Sequence, residues 1–313
     1  FKVKRVFELA PVRREVFEKS NKKAIAPACV LFFKYDKTHD TDNNIIEHIT
    51  LKPSRFFSLF KVFSINRSDF KQVQQKKLKG KENDWLWKVL VYGSYLDFNF
   101  IKRLKKDYQT IEDVINKENN LHIGQGVMVV RTDKGDKNDA SELVGKTFID
   151  TKTDVKQFWV NSNTDKKWEL AQVHRPRNKE LYQAPMLLIA GGNNKELNCI
   201  SAVNQKDAVF KSSLTAIKLD NIDLLKQIAG ILNSSFFSYF NIQVFSSTCI
   251  EREESHDEEK LDIPFSKTDS ISIIVNDLEK LFIQKFQQTI ENPVIQETIN
   301  EVKQEIENAI NKG

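Results

Sequence analysis

At 313 residues, with 40% hydrophobic and 29% charged side chains and only 10 Gly and 7 Pro, the chain is long enough for a sizeable core and too apolar to be a disordered or fibrous protein. Forty-eight Lys and Arg against 43 Asp and Glu leave a charge of +5, which fits a polyanionic partner only where the positive charge is clustered. Three scattered cysteines, Cys29, Cys199 and Cys249, with no Cys-x-x-Cys pair, argue against a disulfide framework or a thiolate metal site.

The opening residues, Phe1-Lys2-Val3-Lys4-Arg5-Val6-Phe7, lack the sections of a signal peptide, and no window approaches a transmembrane span, so a cytoplasmic protein is expected. The same residues alternate as a strand over 3–9, so the chain reads as a piece of a longer protein. A short helix is expected between Pro11 and Phe17, and a second, buried strand over 25–35 (IAPACVLFFKY). Such a strand-helix-strand unit cannot cover both faces of its own sheet, so it reads as the incomplete edge of a larger α/β sheet. The polar stretch 36–44 (DKTHDTDNN) is the expected boundary.

Residues 45–65 are Phe-rich and strand-like. The segment 71–106 then carries ten Lys or Arg and three acids, Glu82, Asp84 and Asp97, an excess of seven that exceeds that of the whole chain. Within it Trp85 and Trp87 lie two apart, as on one face of a strand, and a helix is expected to begin over 98–104. Gly124 and Gly126 mark a turn or ligand-facing loop, and Gly191-Gly192 a hairpin. Short apolar runs over 148–210 predict mixed β structure. Asp220 or Asn221 caps a helix carrying Leu224, Leu225, Ile228, Ile231, Leu232, Phe236 and Tyr239. The acidic stretch 251–262 reads as a solvated loop. Two amphipathic stripes follow, Leu278, Phe282, Phe286 and Ile290, then Ile295, Ile299, Val302, Ile306 and Ile310, separated by Pro293.

For chemistry the chain offers little. Gly124-Gln125-Gly126 lacks the third glycine of a nucleotide-cofactor loop. All seven prolines are isolated, so the Pro-Pro-aromatic arrangement that holds a flipped base for amine methylation is absent. The five His show no metal-ligand spacing, and no catalytic or metal-binding residue is expected. Asp257-Glu258-Glu259-Lys260 contains a Glu-x-Lys found in metal-dependent nucleases, although an exposed acidic loop is the plainer reading.

Two basic features remain. Lys76, Lys77, Lys79, Lys81, Lys102, Arg103, Lys105 and Lys106 suit phosphate contacts, with a merely solvated surface as the alternative. In His174-Arg175-Pro176-Arg177 a proline holds two Arg in an extended presentation suited to guanine edges or phosphate, unless they are spent in structural ion pairs.

Three stretches, in this order, carry a family resemblance: 3–17 with 26–33, the 168–189 region with VHRPR (173–177) and APMLLI (184–189), and IAGILNSS (228–235). The chain resembles the C-terminal half of N-6 adenine-specific DNA methyltransferases of restriction-modification systems, including single-chain enzymes that also carry a nuclease. The resemblance implies an α+β protein: the edge of the methyltransferase sheet over 1–40, a TaqI-type target recognition domain over 45–265, and a C-terminal helical segment over 276–313. It further implies double-stranded DNA as partner, with methyl transfer and S-adenosylmethionine in a separate upstream catalytic domain and no cofactor held here. Gln125, Arg175, Arg177 and Gln183 are then the residues expected to face bases, beside His174. The alternatives are a metal-dependent nuclease using 251–262, and an interaction module whose terminal helices contact other subunits.

Overall fold

A computed structural model of the chain describes residues 1–17, 27–37, 41–129, 137–245, 256–287 and 293–312. The chain is an α+β protein of two compact units, one comprising Phe1–Leu104 and Phe240–Glu253, the other Lys105–Tyr239 and Glu254–Gly313. The chain passes between the units inside helices at residues 104–105 and 239–240, and again at 253–254, which lies outside the described residues.

The first unit is built on a four-stranded sheet of order β2-β1-β3-β4. Strand β1 (Lys2–Glu8) pairs antiparallel with β2 (Cys29–Lys34) and parallel with β3 (Ile45–Thr50), which pairs antiparallel with β4 (Phe70–Gln74). Residues on either side of the 36–44 stretch thus share one sheet. The strand expected to be buried, Cys29–Lys34, lies at the sheet edge, with Val30, Leu31, Phe32 and Phe33 between 43% and 59% exposed. Apolar content marked a strand correctly, but burial depends on what packs over it.

Two further readings are corrected. The Phe-rich run after β3 is partly a helix, α1 (Arg55–Phe60), because Ser54 Oγ accepts the Phe57 N–H and caps its start. Trp85 and Trp87 lie on a helix as well, α2 (Trp85–Tyr92), which is followed by α3 (Tyr95–Asp107). The WLWKVLVY run is apolar almost all round, so it carries neither the period of a strand nor that of an amphipathic helix. Its Lys88 is buried and donates to the Phe245 carbonyl.

The second unit centres on an antiparallel sheet of β5 (His122–Gln125), β6 (Met186–Ala190), β7 (Ser201–Asn204) and β8 (Leu214–Lys218), in the order β7-β6-β8-β5. Every residue of β6, β7 and β8 is buried. Residues 138–210 add short ladders, including Phe148–Ile149 with Val209–Phe210 and Asn138–Asp139 with Gln172–Val173. Trp168, Tyr182, Phe210 and Met186 fill the core between them.

Helix α4 (Ile222–Leu232) starts as expected, with Asn221 Oδ1 accepting the Leu224 N–H at 3.1 Å. It stops at Asn233, so Phe236 and Tyr239 belong to a separate helix, α5 (Ser235–Val244). Asn233 is buried and its amide grips Ser201 twice, Oδ1 accepting the Ser201 N–H at 2.9 Å and Nδ2 donating to the Ser201 carbonyl at 2.7 Å. Glu307 accepts from the Ser235 N–H and hydroxyl at 2.7 and 2.6 Å.

The terminal stripes form two helices, α6 (Asp269–Gln287) and α7 (Pro293–Lys312), with Pro293 at the start of the second, where its missing N–H costs nothing. Leu278 and Phe282 of α6 pack with Ile299 and Ile306 of α7, and Val302 and Ile310 support the same cluster. These stripes pack against one another within the chain. Ile290 and the side chain of Phe286 lie outside the described residues. Among the described residues, no helix is long and apolar enough to cross a membrane.

Candidate nucleic-acid interface

The basic segment 71–106 separates into two classes of cation. Four have partners within the chain: buried Lys88, Lys71 through a bond to the Leu90 carbonyl, and, in surface ion pairs, Lys79 with Asp42 at 2.7 Å and Lys105 with Asp262 at 2.8 Å. Lys76, Lys77, Lys81, Lys102, Arg103 and Lys106 are exposed. Lys76 and Lys77 sit on the 3-10 turn Gln75–Leu78 that leaves β4, and Lys81 on the next turn, Lys81–Asn83. Lys102 and Arg103 stand on α3 in the first unit, Arg103 lying 5.6 Å from the Phe100 ring, while Lys105 and Lys106 close that helix in the second unit. Asp97 is turned back on the start of α3, accepting from Ser94 N–H and Oγ at 2.7 and 2.6 Å, so its charge serves the helix cap.

In the second unit an isolated antiparallel bridge joins Met128 to Arg175, each N–H donating to the other's carbonyl at 3.0 and 3.1 Å. This pairing brings the HRPR segment beside the end of β5. Arg177, half-buried with φ +71°, donates from Nε to the Gly126 carbonyl at 3.3 Å and from Nη2 to Gln125 Oε1 at 3.5 Å. Arg177 therefore holds a carbonyl and an amide, with no carboxylate paired to it among the described residues, and it orients Gln125. Arg175 and Gln125 are exposed. His174 is half-buried, its carbonyl accepting from Asn138 Nδ2 at 2.6 Å, so its backbone is structural. Gln183 is exposed just after the 3-10 turn Lys179–Tyr182, and among the described residues no hydrogen bond or ion pair joins it to Gln125, Arg175 or Arg177.

No family model matches this chain. No curated protein sequence matches it either. Among solved structures, the type IIG restriction endonuclease BpuSI is similar at a TM-score of 0.34 and 9% identity, over 97% of this chain and 39% of that one. The chain thus spans about two-fifths of the length of that enzyme, and a likeness of this degree carries no weight for function.

The glycines expected to mark a loop have a packing role. Gly124 lies within β5, and Gly126 follows it at a point where the backbone meets Phe210 and Lys211. A Cβ on Gly126 would stand 2.7 Å from the Lys211 carbonyl oxygen and closer still to that of Phe210. Because backbone rather than a flexible side chain fills the space, Gly126→Ala is expected to cost about 2 kcal/mol, measurable by urea unfolding. A change in midpoint too small to register would show that the two segments are not held this close.

The acidic stretch is not simply a solvated loop. Residues 251–255 lie outside the described residues, but Asp257–Leu261 is a helical turn, with Glu259 accepting the His256 N–H at 2.8 Å. Asp257 accepts from Thr215 Oγ1 at 2.8 Å, and Lys260, fully buried, donates to the carbonyls of Ala190 and Gly191 at 2.9 and 3.3 Å. The Glu-x-Lys lysine thus anchors the end of β6. No cluster of three or more potential metal ligands occurs among the described residues.

Missed from sequence were Gln72, Gln74, Ser94, Tyr95 and Phe98, which line a cleft of about 520 Å³ in the first unit. The Ser94-Tyr95-x-x-Phe98 spacing at a helix start was the available signal.

Proposed function

We propose that this chain is a duplex-DNA recognition module, serving as the specificity part of an adenine-specific DNA methyltransferase of a restriction-modification system. In this reading S-adenosylmethionine and methyl transfer belong to a separate catalytic domain. The observation that carries the proposal is the division of charge in 71–106, where Asp97 and four lysines have partners within the chain and six further cations are exposed. Lys76, Lys77, Lys81, Lys102, Arg103 and Lys106 would neutralise phosphates without reading sequence. Arg175 and Gln125, brought together by the Met128–Arg175 bridge and the Arg177 clamp, carry the hydrogen-bonding groups that read purine edges in a major groove.

Titrating fluorescent duplexes across a salt series tests this. Affinity should fall linearly on logarithmic axes, and the combined Lys76→Ala, Lys77→Ala, Lys81→Ala variant should lower that slope by about 3, near 0.9 per lost phosphate contact. Weak binding that ignores salt, or a slope untouched by the triple variant, would remove the proposal.

A further inference from the structure

Three rings run in succession through the first unit: buried Trp85, then Phe98, then Tyr95. Trp85 and Phe98 stack with centroids 5.7 Å apart and planes 17° from parallel, and Phe98 and Tyr95 continue the series at 6.3 Å and 28°. The outermost ring, Tyr95, is 76% exposed at the mouth of the cleft of about 520 Å³. Solvent exposure of an aromatic that already has two rings aligned behind it leaves a π-face ready for one more planar group.

The rest of the lining indicates what that group is. Gln72, Gln74 and Ser94 offer hydrogen-bond donors and acceptors, and Lys77 lines the cleft with its amine 5.9 Å from the centre of the Phe98 ring. Lys76 stands exposed on the same turn as Lys77. A planar, polar-edged ring attached to an anion matches this set, and the volume suits one nucleotide. The platform is firm, since the Ser94–Asp97 bonds fix the start of α3 from which Tyr95 projects and Trp85 is anchored in α2.

We propose that the Tyr95–Phe98–Trp85 ladder is a stacking site for an unpaired nucleobase, with Lys77 and Lys76 taking the adjoining phosphates. It rests on the nucleic-acid reading above but concerns a different ligand state: a base outside the duplex rather than the paired helix. Stacking of this kind tolerates any base, so it adds affinity for single-stranded or locally opened DNA without sequence choice.

The test uses the full chain with two probes, a short oligothymidylate and a fully paired duplex. Tyr95→Ala should weaken oligothymidylate binding about tenfold, Tyr95→Trp should restore it, and duplex binding should hold in both. A 2-aminopurine placed in the single strand should be quenched on binding to the native chain and regain fluorescence with Tyr95→Ala. Oligothymidylate affinity unchanged by Tyr95→Ala, or duplex affinity falling in parallel, overturns the stacking site. Salt-dependent duplex binding without any single-strand binding overturns this inference alone, whereas loss of the duplex result removes the reading beneath it.

Discussion

Asn233→Ala is expected to lower the stability of the second unit by about 3 kcal/mol, seen as a fall in Tm of roughly 6–12 °C. The Asn233 amide pairs with the backbone of Ser201 as a strand residue would, and both residues are buried. Truncation leaves the Ser201 N–H without a partner where water cannot reach it, which costs about 1–3 kcal/mol, and the removed amide leaves a void. The Ser201 carbonyl keeps one donor, the Phe158 N–H at 2.9 Å, which bounds the loss. A melting curve within a degree or two of the native one would mean that the amide is replaceable by solvent.

Acidification should weaken the first unit through His48. Its ring is buried on β3 with Nε2 unpartnered and Thr50 Oγ1 3.3 Å from Nδ1, directly across the ladder from Lys71. Burial, and then the Lys71 charge, push its pKa from 6.5 down to about 4. Between those values the unfolded chain binds a proton that the folded chain refuses. Stability is therefore complete above 6.5 and declines as the pH falls towards about 4. The loss is about 1.4 kcal/mol per pH unit and about 3 kcal/mol in all. Denaturant midpoints across this range measure it, and His48→Gln should flatten the dependence. A native profile already flat between pH 6 and 4.5 would show that water reaches the ring.

The parts of this molecule legible in its sequence are those where one periodicity dominates. Leu224, Leu225, Ile228, Ile231 and Leu232 lie on one helical stripe behind an Asn cap, and the α6–α7 pair repeats that logic on either side of Pro293. The misread segments are those where local pattern is silent about neighbours. WLWKVLVY has almost no polar face to set a period, and CVLFFK looks like core although its sheet ends there. At the candidate interface, the meeting of Gln125 with Arg177 depends on the Met128–Arg175 bridge, a pairing across some fifty residues that no spacing encodes. Which lysines of 71–106 would be spent internally was likewise hidden, because Asp42 and Phe245, the partners of Lys79 and Lys88, lie outside the segment.

The edge strand Cys29–Lys34 has a practical consequence. Among the described residues no strand pairs with one side of it, and its greasy side chains are presented on both faces. A strand with those properties is a template for intermolecular zippering. Concentrated samples are thus prone to clump through this rim, and a lysine in place of Leu31 or Phe33 is the natural gatekeeper for keeping them dispersed.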